Sequence, residues 1–308
     1  MSVYPVVAIC AVSAAFALFI VVALRRGARA AAAAAASFPL CAALGFVFAK
    51  LFYVLLMETG HMIEWGEFDA LFSLRPETFC FTGGGIGVWL GLLLSARVIG
   101  NRLAGKFLDL FTVPGLLLVA GLRMAEAELG SLGTGRFIEA AAAPSFPFAV
   151  VNEYGEAHVA VFFWEAAWAL AVALLSLSDL ERRPGERFKT AVFRLCAGQT
   201  LLEGLRSRSL SWGFVRVEQV LCAVILLALM LLACARSTKK QGAVRYLPAL
   251  WLLACFAAIV GIEFLRQRSR SRFMGEIGGF LMMGLVLVAA LLLYRSVTAG
   301  FRRPGPNR

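Results

Sequence analysis

Nine long apolar runs alternate with short charged stretches along the 308 residues. They cover 3–24, 32–57, 80–97, 109–128, 159–177, 190–206, 217–235, 246–264 and 276–294. Runs of roughly 17–25 apolar residues are long enough to cross a bilayer as helices, where lipid offers no partner to an unpaired backbone N–H or C=O. The pattern predicts an all-α polytopic membrane protein with about nine transmembrane helices. The sixth run is the least apolar, because it carries Arg194, Gln199 and Glu203. The alanine-rich tract 28–36 opens the second helix. The first run, Val3 to Leu24, has no basic region before it and no small-residue cleavage site after it. It is expected to be a retained helix rather than a removed signal.

Composition agrees with the pattern. Hydrophobic residues make up 60% of the chain, leaving no room for a soluble domain of ordinary composition. The charge of the loops sets an orientation. Arg25, Arg26 and Arg29 follow the first helix, and Arg97, Arg102 and Lys106 the third. Arg182, Arg183, Arg187 and Lys189 follow the fifth, and Arg236, Lys239, Lys240 and Arg245 the seventh. Arg295, Arg302, Arg303 and Arg308 end the chain. These basic residues all fall on one side, taken as cytoplasmic, so the N-terminus is expected outside and the C-terminus inside. The loop 58–79 suits the outside, with Glu58, Glu64, Glu67, Asp69 and Glu77 against Arg75 alone. Two outside loops run against the trend, one with Arg206, Arg208 and Arg216, the other with Arg266, Arg268, Arg270 and Arg272. Such side chains meet lipid phosphates or merely snorkel to the interface. The net charge of +11 belongs mostly to the inside loops and is no sign of nucleic-acid binding. Seven cysteines without a CxxC imply neither zinc nor a disulfide framework, and no cofactor motif is present.

The same topology assigns a depth to each polar residue. Tyr4, Lys50, Tyr53, Thr82, Gly83, Gly84, Arg123, Glu126, Glu128, Glu165, Glu203, Arg206, Glu218 and Gln219 all fall in the outer leaflet or at its edge. Polar residues scattered for structural reasons would not segregate in this way. A charge inside the bilayer is costly and is by default functional, with a partner. The plainer reading is an internal ion pair that orders the bundle. The segregation predicts one polar cavity opening outward, centred on Gly121-Leu122-Arg123-Met124-Ala125-Glu126-Ala127-Glu128-Leu129-Gly130.

These residues carry a family resemblance. Gly45-Phe46-Val47-Phe48-Ala49-Lys50-Leu51-Phe52-Tyr53-Val54, Phe81-Thr82-Gly83-Gly84-Gly85-Ile86-Gly87, Arg123-Met124-Ala125-Glu126, Phe163-Trp164-Glu165, Gln199-Thr200-Leu201-Leu202-Glu203-Gly204-Leu205-Arg206 and Val217-Glu218-Gln219-Val220 occur in that order. Together, over about residues 1–235, they resemble the bacterial prolipoprotein diacylglyceryl transferases. The resemblance implies a seven-helix transferase-like membrane domain over 1–235 and a C-terminal extension, 236–308, with two further transmembrane helices. It departs from the family at Thr82, where the family has a histidine, and at Gln199, where it has an essential arginine. Glu126 replaces an asparagine. Lys50 replaces an arginine, which keeps the charge but loses the two-point fork.

The family moves a diacylglyceryl group from phosphatidylglycerol to the cysteine thiol of a prolipoprotein signal peptide, at the outer face of the bacterial cytoplasmic membrane. The chemistry needs cations on the departing phosphate and a base for the thiol proton. The resemblance therefore implies Arg123, Glu126, Glu203 and Thr82 as candidate catalytic residues. Arg206, Lys50, Tyr4, Gly83, Gly84, Gln199 and Glu128 are candidate substrate-binding residues. For Gly83 and Gly84 tight helix packing is an equal reading, and for Tyr4 an interfacial anchor. His158 could titrate near the site, while His61 reads as a solvated loop residue. No metal and no cofactor are expected. The expected partners are phosphatidylglycerol or another anionic phospholipid, a prolipoprotein signal peptide and the membrane, with no nucleic acid. Two alternatives stand beside the enzyme: a noncatalytic paralogue that binds phospholipid or lipoprotein precursor, and a small-molecule transporter. A transporter would more often show inverted repeats and polar residues near the midplane.

Overall fold

The computed structural model describes residues 3–57, 72–99, 104–138, 145–152, 154–178, 183–212, 215–237, 242–268 and 278–299. Most of the acidic loop, with His61 and Trp65, lies outside the described residues, as do Arg102, Arg182, Lys239, Lys240, Arg270, Arg272, Arg302, Arg303 and Arg308.

Nine α-helices account for most of the described chain. They are α1 (Tyr4–Leu24), α2 (Ala28–Met57), α3 (Phe81–Ile99), α4 (Ala104–Ala125), α5 (Val161–Leu177), α6 (Glu186–Leu202), α7 (Val217–Arg236), α8 (Leu247–Arg268) and α9 (Gly279–Thr298). Among the described residues six helical stretches are long and apolar enough to cross a membrane: Tyr4–Leu24, Ala28–Leu56, Ala104–Leu132, Val217–Arg236, Gly242–Leu265 and Gly279–Thr298. Val161–Leu177 is a shorter apolar helix. The protein is thus an all-α polytopic membrane protein. The sixth run begins earlier than its apolar stretch suggests, at Glu186, because Asp109 caps it. Asp109 Oδ2 accepts from Gly185 N at 2.7 Å and Oδ1 from Phe188 N at 3.0 Å. A carboxylate at a helix N-terminus satisfies N–H groups that have no partner within the helix.

The bundle is apolar outside and polar within. Leu250 and Trp251 are each 61% exposed and Leu285 71%, whereas Glu165 and Glu203 are each 2% exposed. In water that arrangement would be unfavourable; in lipid the outer face costs nothing. Helix contacts then rest on shape. Helices α2 and α3 approach along small residues. A Cβ at Gly87 would lie 2.2 Å from the Leu44 carbonyl oxygen, and one at Gly83 2.6 Å from Phe52 Cβ. Phe19 of α1 packs against Phe107 and Phe111 of α4, with centroids 5.1 Å apart in both pairs. Ala120 of α4 packs with Ala166 and Ala169 of α5. The last two helices do not form a separate body. Phe193, Cys222, Leu226, Leu252, Met283 and Tyr294 share one core across α6 to α9. Phe193 and Tyr294 stack with centroids 3.9 Å apart.

One end of the bundle carries small sheets that the apolar pattern does not predict. Strands β1 (Phe137–Ile138), β2 (Ala149–Val151) and β3 (Ala157–Val159) form an antiparallel sheet in the order β1-β3-β2. Strands β4 (Ser211–Trp212) and β5 (Val215–Arg216) form a hairpin leading into α7. The start of α3, the end of α4, the start of α5 and the end of α6 meet the start of α7 at this end.

Candidate active site

At that end α4 stops at Ala125 and the chain tightens into a 3-10 turn, Glu126–Leu132. Gly130 takes a φ of 55°, and a Cβ at Gly133 would meet the Glu126 carbonyl at 2.0 Å. The turn thus needs glycine in both places. The following segment is stitched between two neighbours. Gly135 N donates to Val159 O at 2.7 Å, Arg136 N to Leu205 O at 3.1 Å and Ser207 N to Thr134 O at 3.2 Å. This stitching brings Arg206 beside the turn, where its Nη1 donates to Leu132 O at 2.8 Å. Arg216 closes the same loop, donating through Nη2 to Arg206 O at 2.8 Å and through Nη1 to Glu203 O. It serves the carbonyls that follow α6.

The loop geometry assembles a buried ionic cluster. Arg123 Nη1 donates to Glu126 Oε1 at 2.7 Å, and Arg123 Nε lies 3.3 Å from Glu165 Oε2. Arg206 binds both oxygens of Glu165, with Nε to Oε1 at 3.1 Å and Nη2 to Oε2. Its Nη2 also reaches Glu126 Oε2, and its Nε stands 3.6 Å from Glu203 Oε2. Gln199 Nε2 donates to Glu165 Oε1 at 2.7 Å and to Glu203 Oε2 at 3.3 Å. Removing one member of such a set leaves a charge buried without compensation. The Arg123 Nε contact is an ion pair without hydrogen-bond alignment, and that buried nitrogen has no hydrogen-bond partner among the described residues. The Arg123 guanidinium sits over the ring of Phe81, 3.7 Å from its centroid.

Arg123, Glu126, Glu203 and Arg206 therefore converge, and Gln199 joins them. Tyr4, half-buried at the start of α1, lies within electrostatic reach of Glu126 and Arg123. The remaining candidates stand elsewhere. Glu128 is exposed and joins no ion pair among the described residues. Lys50 is buried, but its described contacts are the Ser73 carbonyl, Thr78 Oγ1 and the Phe79 ring, with Nζ 4.0 Å from that centroid. Gly83 and Gly84 face α2, where a Cβ at Gly84 would meet Ala49 Cβ at 3.4 Å; their contacts are those of helix packing. Thr82 bonds Glu218 rather than an arginine, through its amide at 3.3 Å and through Oγ1. His158 lies in β3, with Nδ1 3.2 Å from Gly135 O.

Two carboxylates stand outside the set of candidates implied by the resemblance. Glu165 is the hub of the cluster, touching Arg123, Arg206 and Gln199. Glu218 holds the start of α3. Both were legible as carboxylates inside apolar runs. Among the described residues no group of three His, Cys, Asp or Glu side chains could hold a metal.

The chain was compared with known proteins. A family model described as prolipoprotein diacylglyceryl transferase matches residues 1–235. The phosphatidylglycerol–prolipoprotein diacylglyceryl transferase of Bacillus mycoides (strain KBAB4) is 26% identical over 218 residues, covering 66% of this chain and 76% of the relative. The protein of the same name from Bacillus anthracis (strain CDC 684 / NRRL 3495) is 25% identical over 217 residues, with the same coverage. No solved structure matches. A match over residues 1–235, well over half of the 308, means that this chain belongs to the prolipoprotein diacylglyceryl transferase family.

Proposed function

We propose that the protein transfers diacylglyceryl from phosphatidylglycerol to the lipobox cysteine thiol of a lipoprotein precursor. The observation that carries this reading is the pair Arg123 and Arg206, buried together at one end of a membrane bundle. A guanidinium offers planar, two-point donation to a phosphate, and in a dry site that donation is far stronger than in water. The thiol attacks the glyceryl carbon that bears the phosphate ester. The C–S bond forms as the C–O bond breaks, and the electron pair leaves with glycerol phosphate, onto the arginines. The enzyme would work in the bacterial cytoplasmic membrane with its N-terminus and this site outside, in keeping with the basic loops that face the other way. Residues 1–235 would be the transferase unit and 236–308 an addition to it.

The test is transfer to a lipobox peptide in phosphatidylglycerol vesicles, with the Bacillus mycoides relative as positive control. Lipidated peptide from wild type and none from Arg123→Ala is the expected result. A wild type that transfers nothing beside a working control overturns it.

One observation favours a second reading, a noncatalytic binder of phospholipid or precursor. Three carboxylates, Glu126, Glu165 and Glu203, face the two arginines, so the donors a phosphate needs are already engaged. Lipid binding without transfer would select it.

A further inference from the structure

Of the carboxylates Glu126, Glu165, Glu203 and Glu218, the first three are tied to arginine. Glu126, Glu165 and Glu203 each stand within ion-pair distance of Arg206. Guanidinium or amide donors engage all three, and among the described residues no thiol donates to any of them. Glu218 differs. Among the described residues it forms no ion pair, and it is half-buried in the first turn of α7. Its partners are Thr82 Oγ1, Thr82 N at 3.3 Å and the thiol of Cys80, whose Sγ lies 3.2 Å from Glu218 Oε1. A thiol already donates to this carboxylate. The site of the contact is near the arginines, since Phe81, between Cys80 and Thr82 in sequence and the first residue of α3, carries the Arg123 guanidinium on its ring. Cys80, Cys222 and Glu203 are titratable groups that feel the Glu218 charge.

We propose that Glu218 takes the proton from the incoming substrate thiol, and that Cys80 occupies the place on Oε1 which that thiol takes. The inference rests on the transferase reading above. In the step the substrate S–H gives its proton to Glu218 as sulfur attacks the glyceryl carbon. The C–O electron pair goes to the departing phosphate, and the proton then passes from Glu218 to water or to that phosphate. Thr82 is a positioning residue, holding the carboxylate through its amide and Oγ1.

The competing account is that Glu218 merely caps α3. Glu218→Gln separates the two, because the amide oxygen still accepts from Thr82 but cannot take a proton. Transfer in phosphatidylglycerol vesicles is measured from pH 6 to 9, beside phosphatidylglycerol binding and the thermal midpoint. The expected result for Glu218→Gln is unchanged binding and midpoint with a loss of about a hundredfold at neutral pH. That loss narrows toward pH 9, since a peptide thiol with a pKa of about 8.5 ionises by itself there. Cys80→Ala, which vacates Oε1, is expected to transfer at least as fast as wild type. Should Glu218→Gln fail to fold, Glu218→Asp keeps the base on a shorter arm and is expected to be slower with the pH profile of wild type. Wild-type activity with Glu218→Gln within threefold at every pH, or with an inactive Cys80→Ala, overturns the proposal and leaves the transferase reading standing. An inactive wild type beside a working Bacillus control overturns both.

Discussion

Arg123 stands over the ring of Phe81, 3.7 Å from its centroid, while its Nη1 donates to Glu126. The arginine is thus held between an aromatic face on α3 and a carboxylate one turn beyond it on its own chain. Arg123→Ala is expected to abolish lipid transfer, with about a hundredfold loss or more, while the protein still accumulates in the membrane. Arg123→Lys is expected to rescue poorly, since an ammonium cannot give planar donation to phosphate and a carboxylate at once. Lipid attachment to a peptide and quantitative blotting of membranes measure both.

The hub of the cluster predicts a stability effect. Glu165→Ala removes the more deeply buried of the two carboxylates that Arg123 and Arg206 share, the other being Glu126. A broken buried ion pair typically costs about 3–5 kcal/mol. The thermal midpoint in detergent should fall more for Glu165→Ala than for Glu128→Ala, whose side chain is exposed. Equal midpoints would remove Glu165 from its central place.

Helix packing gives a third test. Gly87→Ala puts a methyl 2.2 Å from the Leu44 carbonyl, whereas a Cβ at Gly85 meets nothing within 4 Å. Gly87→Ala is expected to lower the thermal midpoint and Gly85→Ala to leave it in place. Because backbone lies opposite Gly87, the helices themselves must part.

Charge balance at the cluster yields a fourth. Gln199 donates to Glu165 and Glu203 where a third cation would balance the three carboxylates. Gln199→Arg is expected to release donors for phosphate and raise transfer by roughly tenfold, about 1.4 kcal/mol in barrier. Thr82→His is expected to act in the same direction, with the imidazole on Glu218. Transfer rates in vesicles decide; a fall in both variants would mean that the cluster does not accommodate the larger side chains.

Orientation is a fifth. Reporters fused in 99–105 and 183–187 should both read as cytoplasmic. An external reading of either loop would turn the site to the wrong face for a secreted precursor.

Much of this was legible in the sequence because lipid makes apolar runs long and charges within them conspicuous. Arg123, Glu126, Glu203 and Arg206 stand out for that reason, and they do meet. Glu165 is equally conspicuous, yet its rank as hub depends on Arg206 arriving from 41 residues away. That arrival is set by backbone bonds among Thr134, Gly135, Leu205 and Ser207, in segments with no periodicity to read. The β-strands at this end are two or three residues long, too short for alternation to register. Gly83 and Gly84 lie in a motif that suits either close lipid approach or helix packing, and only the neighbouring backbone of α2 separates the two.

The shared core of α6 to α9 has a bearing on how a lipid could enter. Phe280, in the first turn of α9, would stand 3.4 Å from a Cβ placed on Gly204, directly after Glu203. The start of α9 therefore covers the chain directly after Glu203. A phospholipid sliding in sideways past α6 would have to displace that ring first.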